Sequence, residues 1–256
     1  PPPPPPPPPP TPTPPPPPNP PFFNDTATTE IYTLSRSSAA SDVYKRQPPS
    51  QTLLSALFER AFKDFGLPNA IRTDNGIPFA SPNALFGLSK LSVWWLRLGI
   101  NIQRIKPGNP QQNGRHERMH LTLKNEATKP ASFNFLQQQG RFDEFIEGYN
   151  NDRPHQSLGG QYPGDLYTPS TRLYSPPEEP EYPYHDRSIK VTKCGRICIG
   201  NRKINLSTVF AGQNVGIREV ADKIWLVSFM DYDLGFFDED CGRVEPAVNP
   251  WLPEKV

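Results

Sequence analysis

Eighteen of the first 21 residues are proline. A run of this kind has almost no backbone donors and a fixed φ, so it forms solvated polyproline II and contributes nothing to a core. Folding is left to the rest of the chain. From Leu53 onward the apolar residues recur at regular spacings, as in ordinary globular sequence, and the 35% hydrophobic content of the whole chain averages two unlike populations.

Between the proline run and Leu53, Asn24–Tyr32 reads NDTATTEIY and Ser37–Gln47 reads SSAASDVYKRQ, with no hydrophobic period in either string. The first resembles the conceptual translation of a sequencing-library adapter. The second resembles that of the primer and transposon mosaic end used in tagmentation, with an interval between them that fits an index in frame. Residues 1–47 are therefore expected to be low-complexity, artefact-derived and disordered, with native homology beginning near Pro48.

Leu54, Leu57, Phe58, Ala61, Phe62 and Phe65 form an apolar stripe on one helical face, and Gly66 and Pro68 supply the stop. Ala70–Thr73 reads as a short strand ended by Asp74-Asn75-Gly76, so that Asp74 stands at its C-terminal edge. A second helix is expected over Ala84–Leu98 and another strand over Ile100–Ile105. Pro107–Gly114 (PGNPQQNG) holds two prolines, two glycines and four amides, which makes it a loop. A helix follows from about Arg115 to Lys129, stopped by Pro130. Phe142, Phe145, Ile146 and Tyr149 mark one more helix, and Tyr162–Tyr184 reads as a Pro- and Tyr-rich linker.

From Ser188 the pattern changes to short β-prone runs, at Ile189–Thr192, Arg196–Ile199, Val215–Glu219 and Ile224–Phe229. Regular strands at that spacing suggest a small barrel. The expected division is a mixed α/β part over 48–160, a linker over 161–185, an all-β barrel over 186–250 and a tail over 251–256.

A net charge of +1 conceals two basic runs. Arg97, Arg104, Lys106, Arg115, Arg118 and Lys124 face only Glu117, and the six cations between His185 and Lys203 face only Asp186. Cys194, Cys198 and Cys241 lack zinc-ligand spacing and read as buried thiols of a reduced, cytoplasmic protein. No apolar run reaches the length of a membrane span and no signal-peptide pattern is present.

The chemistry is carried by Thr73-Asp74-Asn75-Gly76 and by Pro110-Gln111-Gln112-Asn113-Gly114-Arg115-His116-Glu117-Arg118. With Leu123-Lys124, Tyr149-Asn150 and Arg153-Pro154-His155, these strings resemble the second half of the integrase core shared by DDE-type insertion-sequence transposases and retroviral integrases. That resemblance implies an RNase H-like sheet whose three carboxylates hold two divalent metals, Mg²⁺ or Mn²⁺, around a scissile phosphate. Asp74 matches the second aspartate and Glu117 the glutamate, as metal ligands and catalytic residues. Two metals about 3.5–4 Å apart activate the nucleophile and stabilise the leaving oxygen, and hard oxygen donors suit them. The 42 residues between Asp74 and Glu117 exceed the interval usual in retroviral-type cores, and the surplus is expected in Ser81–Leu98.

At 100° per residue, Glu117, His120 and Lys124 fall within about 60° of one another, with Met119, Leu123 and Ala127 on the other side. One face is expected to pack on the sheet while the other meets DNA. The resemblance makes Lys124 the leading DNA contact, followed by Gln112 and Asn113, then Asn75, Arg115 and His120, with Lys106 from the basic run. It also implies a homo-multimer acting on paired element ends and target DNA.

The family's first aspartate has no match: Asp64 falls within the first helix, and Asp25 and Asp42 lie in the adapter-like strings. The strands that should precede Leu53 are missing as well. The chain is thus expected to be a truncated, inactive transposase fragment. Two alternatives stand beside this reading. One is a non-catalytic DNA-binding protein resting on the two basic runs. The other is a zinc protease, because His116-Glu117-Arg118-Met119-His120 also fits His-Glu-x-x-His, with Asp143, Glu144 or Glu147 as a third ligand.

Overall fold

The computed structural model describes residues 51–106, 114–238 and 244–251. The proline run and the adapter-like strings lie outside the described residues.

Helix α1 (Gln51–Phe65) forms where the apolar stripe predicts it. Leu54, Leu57, Phe58, Ala61 and Phe62 are all buried on its inner face. Strand β1 (Ala70–Thr73) follows and pairs in parallel with β2 (Asn101–Arg104), with Ile71 beside Ile102 and Thr73 beside Arg104.

The crossover between these strands corrects the expected helix over Ala84–Leu98. Leu85–Gly87 is a short 3₁₀ turn in which Phe86 adopts φ 55° and Gly87 φ 64°, so no helix can run through it. Helix α2 spans only Lys90–Arg97, starting where the Ser89 hydroxyl accepts a hydrogen bond from the Ser92 amide at 3.1 Å.

Helix α2 is apolar almost all round. Leu91, Trp95 and Leu98 pack with Phe58, Phe62, Leu67, Ile71 and Ile100 in one core, where the Phe58 and Trp95 rings meet edge to face at 4.9 Å. Val93 and Leu96, with Leu88 and Ile102, belong instead to the core of the C-terminal strands, alongside Ile197, Ile204, Phe210, Val215 and Phe229. The α/β part and the β-rich part therefore share buried surface through this helix, the turn before it and β2.

Helices α3 (Gly114–Ala127) and α4 (Phe135–Glu147) pack as a pair with its own small core, and a π turn (Gly148–Asp152) ends it. The segment expected to be a linker is irregular in backbone but bound along its length. The Arg172 guanidinium donates to the carbonyls of Pro68, Leu98 and Gly99 at 2.7–3.0 Å, and the Leu67 amide donates to the Arg172 carbonyl at 2.7 Å. Gly66 lies so close to that carbonyl that a Cβ would stand 2.8 Å from it. Farther along, Arg97 donates to the carbonyls of Pro177 and Glu178, and the Tyr182 hydroxyl donates to the Asn214 carbonyl at 2.7 Å.

The C-terminal strands are β3 (Arg187–Lys190), β4 (Arg196–Ile199), β5 (Arg202–Asn205), β6 (Asn214–Ala221), β7 (Ile224–Phe229), β8 (Tyr232–Asp238) and β9 (Val244–Pro246). They form an antiparallel five-stranded sheet in the order β3-β6-β7-β8-β9 and a separate β4-β5 ribbon. The expected burial of the thiols is corrected: Cys194 and Cys198 are free and exposed, Cys198 because it points outward between buried Ile197 and Ile199, and Cys194 because it lies in the turn before β4. Cys241 lies outside the described residues. Among the described residues no helix is long and apolar enough to cross a membrane.

The shared helix gives the first prediction. Leu96→Ala is expected to cost about 2–5 kcal/mol, and in urea the helical signal and the fluorescence of Trp225 in the sheet should be lost together. Separate transitions for helix and sheet would show that the two cores are not coupled.

Candidate functional site

The parallel pair β1-β2 presents its C-terminal edge as a short platform. Asp74 is the first residue after β1, is exposed, and accepts a hydrogen bond from the Gly76 amide through Oδ1 at 3.1 Å. This local Asx-type bond explains why Asp, Asn and Gly follow the strand here. Asn75 donates through Nδ2 to the Ile105 carbonyl at 3.0 Å, which ties the end of β1 to the end of β2. Asn75 is thus a structural clasp at this edge. Next to it Arg104 is half-buried, donates to the Gly87 carbonyl at 2.8 Å, and has its pKa lowered by burial. Lys106, just beyond β2, is part-buried.

Glu117 lies exposed in the first turn of α3, where a carboxylate is favoured by the unpaired amides of the helix start. Met119, Leu123 and Ala127 are all buried, Glu117 and Lys124 are exposed and His120 is part-buried, so the helix presents the two faces expected of it. What it packs on is different. Its apolar face meets Phe142, Phe145, Ile146 and Tyr149 of α4 and the π turn, not the sheet. The reason is complementary apolar surface: α4 carries a full stripe, whereas the two strands are already covered by α1 and α2.

Polar groups from α4 and beyond fasten the C-terminal end of α3, where the last carbonyls have no helical partner. Buried Gln138 donates to the Ala127 carbonyl at 2.6 Å and accepts from the Ser132 amide at 3.2 Å. Arg141 donates to the carbonyls of Pro130 and Glu126. Arg153 reaches both carboxylate oxygens of Glu126 at 2.9 Å and lies 5.8 Å from the centre of the Tyr149 ring, while the His155 ring meets that ring at 4.6 Å. Tyr149, Arg153 and His155, quoted above only as a motif, therefore brace α3. Gln138 and Arg141 gave no sequence signal, because a cap made across a helix pair depends on the packing of that pair.

Gln112 and Asn113, and the side chains of Arg115 and His116, lie outside the described residues. Asp143 and Glu147 hold Gln139 and Asn151 at i,i+4 positions, at 2.8 and 2.7 Å. Among the described residues, no three His, Cys, Asp or Glu side chains are grouped closely enough to hold a metal ion. Asp74 and Glu117 supply the right donor type for Mg²⁺ or Mn²⁺, but a two-metal centre needs more carboxylates than these residues bring together. The described residues by themselves do not fit such a centre.

Residues 98–163 match the family model described as the integrase core domain. This segment is similar to an integrase core. It runs from the end of α2 through β2, α3, α4 and the π turn, and so contains Glu117 and Lys124 but not Asp74. Over 84 residues the chain is 36% identical to the Gag-Pol polyprotein of baboon endogenous virus, and that alignment covers 33% of this chain and 4% of the polyprotein. It is 28% identical over 109 residues to an insertion element IS407 protein of Burkholderia multivorans, covering 42% of this chain and 37% of that protein. With an insertion element IS476 protein of Xanthomonas euvesicatoria it shares 33% identity over 95 residues, 37% of this chain and 25% of the relative. The chain thus spans well under half the length of each of these relatives. A chain of the simian T-cell lymphotropic virus intasome in complex with PP2A regulatory subunit B56 gamma aligns over 74% of this chain and 65% of its own length, at 18% identity and a TM-score of 0.36.

Within the matched segment, the bracing of α3 can be tested directly. Gln138→Ala leaves the Ala127 carbonyl and the Ser132 amide without their partner and is expected to destabilise the fold by about 1–3 kcal/mol. Hydrogen exchange should speed up first in the last turn of α3.

Proposed function

We propose that this chain is a cytoplasmic DNA-binding polypeptide of the transposase and integrase kind, whose family reaction is phosphodiester cleavage and strand transfer in DNA integration. The observation that carries this reading is the integrase-core match over 98–163, with Glu117 and Lys124 on the exposed face of the helix at its centre. Asp74 and Glu117 are assigned as the counterparts of two of the family's three metal-binding, catalytic carboxylates. Lys124, Gln112, Asn113, Arg115, His120 and Lys106 are assigned as DNA contacts, with Asn75 shaping the edge that carries Asp74. The β-rich part is assigned as a small barrel, and the working form as a homo-multimer that holds two DNA ends together.

The same reading makes this chain inactive by itself. The family's first aspartate belongs at a strand end, whereas Asp64 sits on α1, exposed and 3.8 Å from Arg60. Two carboxylates fall short of the set that grips two Mg²⁺ or Mn²⁺ ions around a phosphate. What remains is attraction between cationic side chains and the DNA backbone, which is salt-dependent and largely blind to sequence.

The test is binding and cleavage of a labelled duplex by the full chain. Lys124→Ala should weaken binding equally across sequences and make the dependence of log affinity on log salt shallower by about one. Asp74→Asn and Glu117→Gln should leave binding no weaker. No product should form in Mg²⁺ or Mn²⁺. Absence of DNA binding would sink the proposal, and cleavage lost on Glu117→Gln would overturn the assignment of inactivity alone.

A further inference from the structure

The left-handed turn ahead of α2 plays no part in the site above, and its sequence by itself favours a helix. Asn83 is a good helix cap, and Ala84, Leu85 and Leu88 are good helix formers. Gly87, at φ 64°, accepts the left-handed region without strain. Phe86 does not, yet it stands at φ 55° and ψ 17°. A bulky aromatic residue keeps that conformation only where its surroundings impose it.

Two sets of contacts impose it here. The Gly87 carbonyl accepts from the Ser81 amide at 3.0 Å and from the Arg104 guanidinium at 2.8 Å. The Phe86 ring meets the Trp251 ring at 5.6 Å, and Trp251 in turn meets Tyr232 of β8 at 4.7 Å. Trp251 is 7% exposed and belongs to the core of the C-terminal strands. It comes from the segment after β9, where the Ala247 amide donates to the Leu234 carbonyl at 3.2 Å and Val248 is 90% exposed. The Asn249 side-chain oxygen then accepts from the Trp251 amide at 3.0 Å, and the chain turns back toward the core. A single aromatic side chain thus joins this segment to the strained turn.

We propose that Trp251 is a latch that selects between two forms of the crossover. With its ring seated against Phe86, the turn stays left-handed and α2 begins at Lys90. With the ring withdrawn, Phe86 returns to the right-handed region and α2 lengthens to Ala84 behind an Asn83 cap. The bridge between Ala80 and Leu88 then opens, and the Gly87 carbonyl leaves Arg104. The seated ring keeps buried aromatic surface, whereas its withdrawal relieves the strained residue and adds helical hydrogen bonds. Arg104 stands in register beside Thr73, the residue before Asp74. The position of the segment after β9 therefore decides whether this guanidinium is engaged or free beside the edge that carries Asp74. Anything that binds the withdrawn segment shifts the balance by its preference for that form. The latch does not depend on DNA binding by the chain.

The experiment is amide hydrogen exchange of the full chain, read residue by residue. Lys90 and Leu91 lie in the first turn of α2, where amides have no helical acceptor. In the longer helix they gain the carbonyls of Phe86 and Gly87. Trp251→Ala is expected to slow exchange at both amides about tenfold and to raise modification of Arg104 by phenylglyoxal relative to Arg60 of α1. Trp251→Phe should behave as the parent does. Phe86→Ala frees the turn without altering the sheet, and should slow the same amides with Trp251 in place, so a loosened sheet in Trp251→Ala does not obscure the result. Phe86→Gly added to Trp251→Ala should abolish the slowing, because glycine accepts φ 55° and disfavours helix. If neither Trp251→Ala nor Phe86→Ala slows Lys90 and Leu91, or if the glycine double variant slows them as much as Trp251→Ala alone, the latch is overturned.

Discussion

Helix α2 is the constraint on which the rest depends. It is short, and a helix of eight residues has little stability of its own in water. It persists because nearly every face is buried, with Leu91 and Trp95 in the α1-β1 core and Val93 and Leu96 in the core of the C-terminal strands. Each core completes itself with the same helix, so the two parts of the chain are joined by apolar contact rather than only by the segment that connects them. Arg172 and Arg97 add to this join by holding the connecting segment against the ends of α1 and α2 through backbone carbonyls.

The functional residues sit at the margins of this framework. Asp74 and Asn75 belong to the end of the parallel pair, and their geometry is local, set by an Asx-type bond and a clasp to Ile105. Glu117 and Lys124 belong to a helix that packs on α4 and is capped by Gln138, Arg141 and Arg153. The carboxylates assigned as partners are thus held by different packing arrangements, one by the sheet and one by the helix pair. A separate cationic face occurs on the β4-β5 ribbon. A net charge of +1 gives no hint of such local clusters because acidic residues elsewhere cancel the sum.

Much of this was readable from the sequence, for identifiable reasons. The stripe from Leu54 to Phe62 placed α1, the run Ala70–Thr73 placed β1 with Asp74 at its edge, and helical periodicity separated Glu117 and Lys124 from Met119 and Leu123. Amide- and glycine-rich strings around Asp74 and Glu117 led to the integrase core that residues 98–163 match. The region Ala84–Leu98 was misjudged because an all-round apolar stretch has no period. Nothing local reveals that Phe86 adopts a left-handed conformation and delays the helix to Lys90. The thiols were misjudged because cysteine's general preference for the interior says nothing about which side of a strand a given residue occupies.

The amino-acid sequence by itself determined the individual elements and the donor chemistry, since caps, turns and alternation are interactions between residues near in the chain. Tertiary structure alone decided that α3 leans on α4 and not on the sheet, and that α2 serves two cores. It also decided that residues 167–185 lie bound along the surface, and that Arg196 and Lys203 of the second basic run share one face of a ribbon. These outcomes depend on which apolar surfaces meet across many intervening residues. That choice is made by the competition among all available faces for burial, and no single segment encodes it.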